Sequence, residues 1–276
     1  MTANVTRFLM QSETDAARIQ ALGATPEQTL VSGNIKYDIG QTKDAATMDT
    51  NARLIEADFA LSRGPLIVAG SSCDGEEELI LAAFTELRKE LDDVRLLIAP
   101  RHPERFDAVA KLLDSSRFKS VRRSAFAQQV ETVGAGSFAA MPVTKNPAHN
   151  ADIILLDSIG ELASLYRFAA VVFVGGSLVP KGGHNILEPA LDAKPIIVGP
   201  HMENFREIAA EFLRHDAVVQ LQGKHDNELI AALRDALLGL LTDTERAQTL
   251  GGNARATVEA NRGATANTVE VIAALI

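Results

Sequence analysis

The stretch VVFVGGSLVPKGGHNILEPALDAKPIIVGP, residues 171–200, decides the fold. Its first residues, Val171–Val174, form an apolar run without polar alternation, which reads as a strand buried on both faces. A glycine-rich loop follows, Gly175-Gly176-Ser177 to Lys181-Gly182-Gly183-His184. A helix is predicted from Asn185, and a second apolar strand, 195–198, closes the unit. Strand, glycine loop, helix, strand is a layout that sets an anionic ligand on backbone N–H groups at a helix N-terminus. It also brings Lys181, His184, Asn185 and Glu188 to one point at the edge of a sheet.

The same alternation extends outward. Strands are predicted at 29–32, 66–69, 94–99, 119–122, 152–156, 170–174, 195–198 and 218–221. Helices are predicted at 48–61, 76–91, 103–113, 159–168, 185–191, 204–214 and 227–241, with one or two terminal helices over 244–275 broken near Gly263. FLMQSETDAARIQALGA near the start has apolar residues spaced like one helix face, with Gly23 as its stop. In the helix from Glu76, the residues Ile80, Ala83, Phe84, Leu87 and Leu91 make an apolar face. Glu76, Glu77 and Glu78 answer the macrodipole in the first turn, and Asp74 is the expected N-cap. Residues 38–50 read as a polar linker that runs into the helix at 48–61, and 124–150 as a surface excursion. Strands alternating with helices mean a mainly parallel, Rossmann-like α/β sheet with helices on both faces, whose ligands sit outside the C-terminal strand ends.

Composition narrows the function. The 276 residues are 46% hydrophobic and 23% charged, which is ordinary for a globular protein with ample material for a core. A net charge of −9 argues against nucleic acid as a partner, but leaves room for a small anion held by local groups. The single cysteine, Cys73, rules out an internal disulfide. The sequence contains no CxxC, HExxH, G-x-S-x-G or GxxxxGK[ST] motif, so no metal ligand set, nucleophile elbow or phosphate loop of those kinds is expected.

Four loops fall at the predicted C-terminal strand ends. Pro100-Arg101 puts an always-charged planar fork directly after a strand; the alternative is a surface arginine paired with Glu104 or Asp107. Ile159-Gly160-Glu161 opens a helix, where Glu161 either borders a ligand or only answers the helix dipole. In the loop of residues 181–188, Asn185 is a candidate cap and Glu188 a candidate acceptor for ribose hydroxyls. Dipole complementation for Glu188 and a backbone hydrogen bond for His184 are the alternatives. The turn at 70–77 carries Cys73 near a helix N-terminus, with no base beside it in sequence.

GNIKYD (33–38), SSCDGEEE (71–78), PRHPERF (100–106), DSIGELASLY (157–166), FVGGSLVPKGGHNILEPA (173–190) and GPHMENFREI (199–208) resemble the 3-deoxy-D-manno-octulosonic acid (Kdo) transferases of lipopolysaccharide synthesis. The resemblance implies the GT-B glycosyltransferase fold, of which this chain would be the C-terminal domain. It implies inverting, metal-independent transfer of Kdo from CMP-Kdo to a lipid A precursor (lipid IVA), with no cofactor beyond the donor substrate. It also implies a place at the cytoplasmic face of the bacterial inner membrane, through an N-terminal acceptor domain that supplies the general base. Residues 1–45 are expected to be a remnant of that domain and a linker, and 46–276 the donor-binding domain with terminal crossover helices. The apolar faces of the terminal helices are then expected to be exposed, and the chain to self-associate. The donor-site residues carried over are Pro100, Arg101, Ile159, Gly160, Glu161, Asn185, Ile186, Leu187 and Glu188, with Ser177, Lys181 and His184 from the same loop. No catalytic base is assigned. Cys73 departs from the family, which has a histidine there. Two other readings stay open: a CMP-sugar binding fragment without transferase activity, and another GT-B enzyme that uses a UDP-sugar.

Overall fold

The computed structural model describes residues 2–39, 45–125 and 147–275. The expected excursion at 124–150 therefore falls largely outside the described residues. The chain divides into two compact units, Met1–Lys43 with Ala256–Ile276, and Asp44–Arg255.

In the smaller unit, β1 (Phe8–Met10) pairs in parallel with β2 (Thr29–Val31), Phe8 opposite Thr29. Helix α1 (Glu13–Ala21) lies between them in sequence, and the Ser12 side chain caps it by accepting from the Asp15 N–H. The expected single helix thus starts later than its apolar spacing suggested: FLM is spent on a strand, and Ser12 marks the true beginning. The last helix, α10 (Ala264–Ala273), also belongs to this unit. Asp38, the final residue of the GNIKYD motif, accepts from the N–H groups of Gly263 (2.7 Å) and Thr265 (2.6 Å) and so caps α10 from a distance in sequence. Burial alone would raise the Asp38 carboxyl, but these donors hold it below the usual range. Val269 (59% exposed) and Ile272 (47%) on this helix, with Leu275 (49%) just after it, leave an apolar stripe open to solvent.

In the larger unit, seven parallel strands form one sheet in the order β5-β6-β4-β3-β7-β8-β9. They are β3 (Leu66–Ser72), β4 (Arg95–Pro100), β5 (Ser120–Arg122), β6 (Ile153–Leu155), β7 (Val171–Val174), β8 (Ile196–Val198) and β9 (Val219–Gln220). The helices are α2 (Ala45–Phe59), α3 (Glu76–Leu87), α4 (Phe106–Asp114), α5 (Leu162–Leu165), α6 (Leu187–Leu191), α7 (Arg206–Arg214), α8 (Asp226–Thr242) and α9 (Thr244–Ala260), the last of which runs past Arg255 into residues of the smaller unit. The linker expected over 38–50 gives way to α2 at Ala45. Buried Leu, Ile, Val and Phe side chains of β3, β4, β6 and β7 join those of α3, α4 and α8 in the core. Apolar runs in the sequence become central strands because both of their faces must leave water.

The strand order reverses direction at β3. Its successor β4 lies on one side and β7, four strands later in sequence, on the other. At such a switch point the loops leaving adjacent strands diverge and open a crevice. One buried arginine ties the opposite end of the sheet. Arg95, at the start of β4, donates to the carbonyls of Phe59 (2.9 Å), Ala60 (2.7 Å), Ala148 (3.3 Å) and Ala151 (2.9 Å). No helix among the described residues is long and apolar enough to cross a membrane.

Candidate functional site

The crevice begins with Glu76. Its side chain is 0% exposed, and its carboxylate is enclosed by backbone donors. Oε1 accepts from the N–H groups of Ser177 (2.9 Å) and Leu178 (2.8 Å), and Oε2 from those of Gly176 (2.7 Å) and Cys73 (2.8 Å). Burial pushes the Glu76 carboxyl upward, against the pull of these donors. A residue expected only to complement a helix dipole is the internal anion around which the loop after β7 is wrapped. The amides of Gly176, Ser177 and Leu178 are therefore not free donors for a ligand. Recognition of an anion falls instead to side chains.

The start of α3 also differs from expectation. Gly75, at φ +87°, is the N-cap and makes no side-chain cap bond, while Asp74 pairs with Arg105. Arg105 reaches Glu77 as well (2.9 Å), and Ser72 Oγ donates to that same carboxylate (3.0 Å). This network fixes the β3 end against the segment after β4, and the Arg101 N–H bonds the Ser72 carbonyl at 2.9 Å.

The fold brings His184 to Cys73, with Nε2 and Sγ 3.4 Å apart across 111 residues of sequence. The close fit needs Gly176, which sits at φ +68°. A Cβ there would stand 2.8 Å from the His184 ring. Burial lowers the His184 pKa, and the charges of Arg101 and His102 lower it further, so the ring is neutral at neutral pH. Burial raises the Cys73 thiol, and the Glu76 and Glu77 carboxylates add to it. A thiol held protonated in this way is no nucleophile. The pair is a neutral hydrogen-bonded contact that orients the imidazole.

Arg101 and Lys181 are both exposed, and both act electrostatically on Cys73. The expected alternative partners of Arg101 are engaged elsewhere: Glu104 lies by His102 (3.9 Å) and Asp107 pairs with Arg122 (2.8 Å). Among the described residues no carboxylate forms an ion pair with Arg101 or Lys181. Two cations without acidic partners thus flank His184 at the switch point.

The remaining residues divide by exposure. Helix α6 starts at Leu187 rather than Asn185, because the Asn185 side chain accepts the Leu187 N–H (3.1 Å) in place of a helical carbonyl. Asn185 and Glu188 are half-buried at the crevice, whereas the side chains of Ile186 and Leu187 are enclosed in the core. Ser177 is also fully buried. Its Oγ donates to the Val174 carbonyl (2.5 Å) and accepts from the Gly199 N–H (2.8 Å). These three enclosed side chains shape the loop from within. Pro100 is buried at the end of β4. Ile159 and Gly160 are exposed after β6, while Glu161 is engaged by Arg123 (3.2 Å) and by the Ser158 hydroxyl. Among the described residues no group of three or more His, Cys, Asp or Glu side chains is placed to hold a metal ion.

The chain has relatives among known proteins. A family model described as 3-Deoxy-D-manno-octulosonic-acid transferase (kdotransferase) matches residues 1–39. The 3-deoxy-D-manno-octulosonic acid transferase of Haemophilus influenzae is 34% identical over 266 residues, which are 96% of this chain and 56% of that protein. Over nearly its whole length the chain is similar to Kdo transferases. The Bordetella pertussis transferase is 30% identical and is again matched over 56% of its length, so the chain spans a little over half of these relatives. The crystal structure of the C-terminal CMP-Kdo binding domain of WaaA from Acinetobacter baumannii matches with a TM-score of 0.63 at 28% identity, over 78% of this chain and 99% of that domain. The fold is that of the C-terminal domain of GT-B glycosyltransferases. It extends to Anabaena HepE in complex with UDP-glucose, with a TM-score of 0.54 at 14% identity and coverage of 99% of this chain and 64% of that one.

Proposed function

We propose that the crevice binds CMP-Kdo, and that this chain is the donor-binding half of a transferase that passes Kdo to a lipid A precursor. The observation that carries the reading is the pair of cations, Arg101 and Lys181, without acidic partners at the switch point of a Kdo-transferase fold. Arg101 would meet the phosphate with its planar fork, and Lys181 would offset the remaining charge of phosphate and Kdo carboxylate. Glu188 would accept from the ribose hydroxyls, and the exposed Ile159-Gly160 segment would border the nucleotide. His184, neutral and held by Cys73, can donate a hydrogen bond without adding a charge.

In the reaction we propose, an acceptor hydroxyl attacks the anomeric carbon of Kdo with inversion. The new C–O bond forms as the bond to phosphate breaks, and CMP leaves with the electron pair. Arg101 and Lys181 stabilise the charge that develops on the departing phosphate, so the chemistry needs no metal. The proton of the acceptor goes to a base outside the residues assigned above. The acceptor half would set the protein at the cytoplasmic face of the inner membrane.

The test compares CMP with cytidine, which lacks the phosphate. Removing Arg101 or Lys181 by alanine substitution should weaken CMP by about 10- to 100-fold, from the usual worth of a hydrogen bond to a charged group, and leave cytidine unchanged. Equal losses for both ligands would refute the phosphate assignment. A preference for UDP over CMP would favour a UDP-sugar enzyme of the same fold.

A further inference from the structure

We propose that the Tyr166 hydroxyl is a specificity group of the crevice, donating a hydrogen bond to a ribose hydroxyl that in turn donates to Glu188. This rests on the donor-binding reading above and adds a residue to it. Tyr166 follows α5 directly, so the chain segment that leaves the exposed Ile159-Gly160 loop also carries this ring. The residue is 2% exposed. Its hydroxyl reaches Gly70, two residues before the end of β3, where a Cβ would stand 2.5 Å from the oxygen. Only glycine leaves space for it at that point of the switch-point strand. Among the described residues no protein group forms a hydrogen bond with this hydroxyl. Among the described residues the sealed and unpartnered side-chain atoms are the Nε atoms of Arg88, Arg105 and Arg123; the Tyr166 oxygen is not one of them and so keeps some accessible surface.

A buried tyrosine hydroxyl ordinarily has a partner, and one without a protein partner needs an explanation. The chemistry next to it restricts the choice. Burial and the nearby charge of Glu188 push the Tyr166 ionisation far above its ordinary value, so the group remains an O–H donor at every working pH. Glu188 can only accept. A ligand hydroxyl satisfies both at once, because it accepts from Tyr166 while donating to the carboxylate. An amine or a second carboxylate on the ligand could serve only one of them.

The experiment measures binding of CMP and of 2′,3′-dideoxy-CMP to wild type, Tyr166→Phe and Glu188→Gln. Wild type should prefer CMP. Tyr166→Phe should weaken CMP by about three- to tenfold, the usual net worth of one hydrogen bond, with no effect on the dideoxy nucleotide and no change in thermal midpoint. The double variant should lose little more than Glu188→Gln alone, because both residues hold the same hydroxyl. Equal weakening of both nucleotides by Tyr166→Phe, or no weakening of CMP, would overturn the assignment while leaving the donor site intact. Failure of wild type to bind CMP would overturn the donor site itself and Tyr166 with it.

Discussion

Replacing Glu76 by glutamine should destabilise the larger unit by about 3–5 kcal/mol. Each carboxylate oxygen now accepts two backbone N–H groups, Ser177 and Leu178 on one, Gly176 and Cys73 on the other. Glutamine keeps the shape but offers only one oxygen. Its amide nitrogen would point N–H donors at two N–H groups that already lack any other acceptor. Each orphaned buried donor costs about 1–3 kcal/mol, and the bonds lost are charge-assisted, hence stronger than neutral ones. The sum is a large part of the ~5–15 kcal/mol that holds an ordinary domain together. Glu78→Gln is the control, since Glu78 lies in the same helical turn but is exposed. Urea unfolding gives the stability difference, and amide hydrogen exchange at Gly176, Ser177 and Leu178 shows where it arises. A loss below about 1 kcal/mol, or unchanged exchange at those amides, would refute the role of Glu76 as the internal anion of the loop.

The folded pKa of His184 lies below its unfolded value, so the unfolded chain binds more protons as pH falls from about 6.5. Stability should drop with falling pH through that window, and His184→Gln should flatten the slope, as read from denaturation midpoints between pH 5 and 8. Arg95→Met should cost about 2–4 kcal/mol, because it leaves the carbonyls of Phe59, Ala60, Ala148 and Ala151 without their shared donor; thermal and urea unfolding measure it. The apolar stripe of Val269, Ile272 and Leu275 should make the chain self-associate with rising concentration. Val269→Glu with Ile272→Glu should abolish that in light scattering, and a wild type that stays monomeric at high concentration would contradict it.

Much of the sheet was legible from sequence because parallel strands buried on both faces leave unbroken apolar runs, as at Val171–Val174 and Ile196–Val198. Phe8–Met10 was not legible: three apolar residues beside a helical pattern cannot be told from its first turn until β2 is there to pair with them. Arg101 and Lys181 stood out in the sequence because the first follows a strand directly and the second lies in a glycine-rich loop. The role of Glu76 was hidden, since a first-turn glutamate already has a sufficient explanation in the helix dipole, and its true partners lie about 100 residues away. The Cys73–His184 contact was hidden for the same reason. Asn185, read as a candidate cap, lies one residue before the N-cap Ile186, and its side chain accepts from the Leu187 N–H ahead of the helix. The general lesson lies in distance along the chain: periodicity reports local structure, whereas the contacts that build this crevice join loops that only the strand order brings together.

Calorimetric titration of the chain with CMP, with UDP as the comparison and Glu188→Ala as the variant, tests the donor assignment most directly. Saturable binding of CMP in preference to UDP, weakened in Glu188→Ala, is the expected result. Preference for UDP, or no binding of either nucleotide, would contradict it.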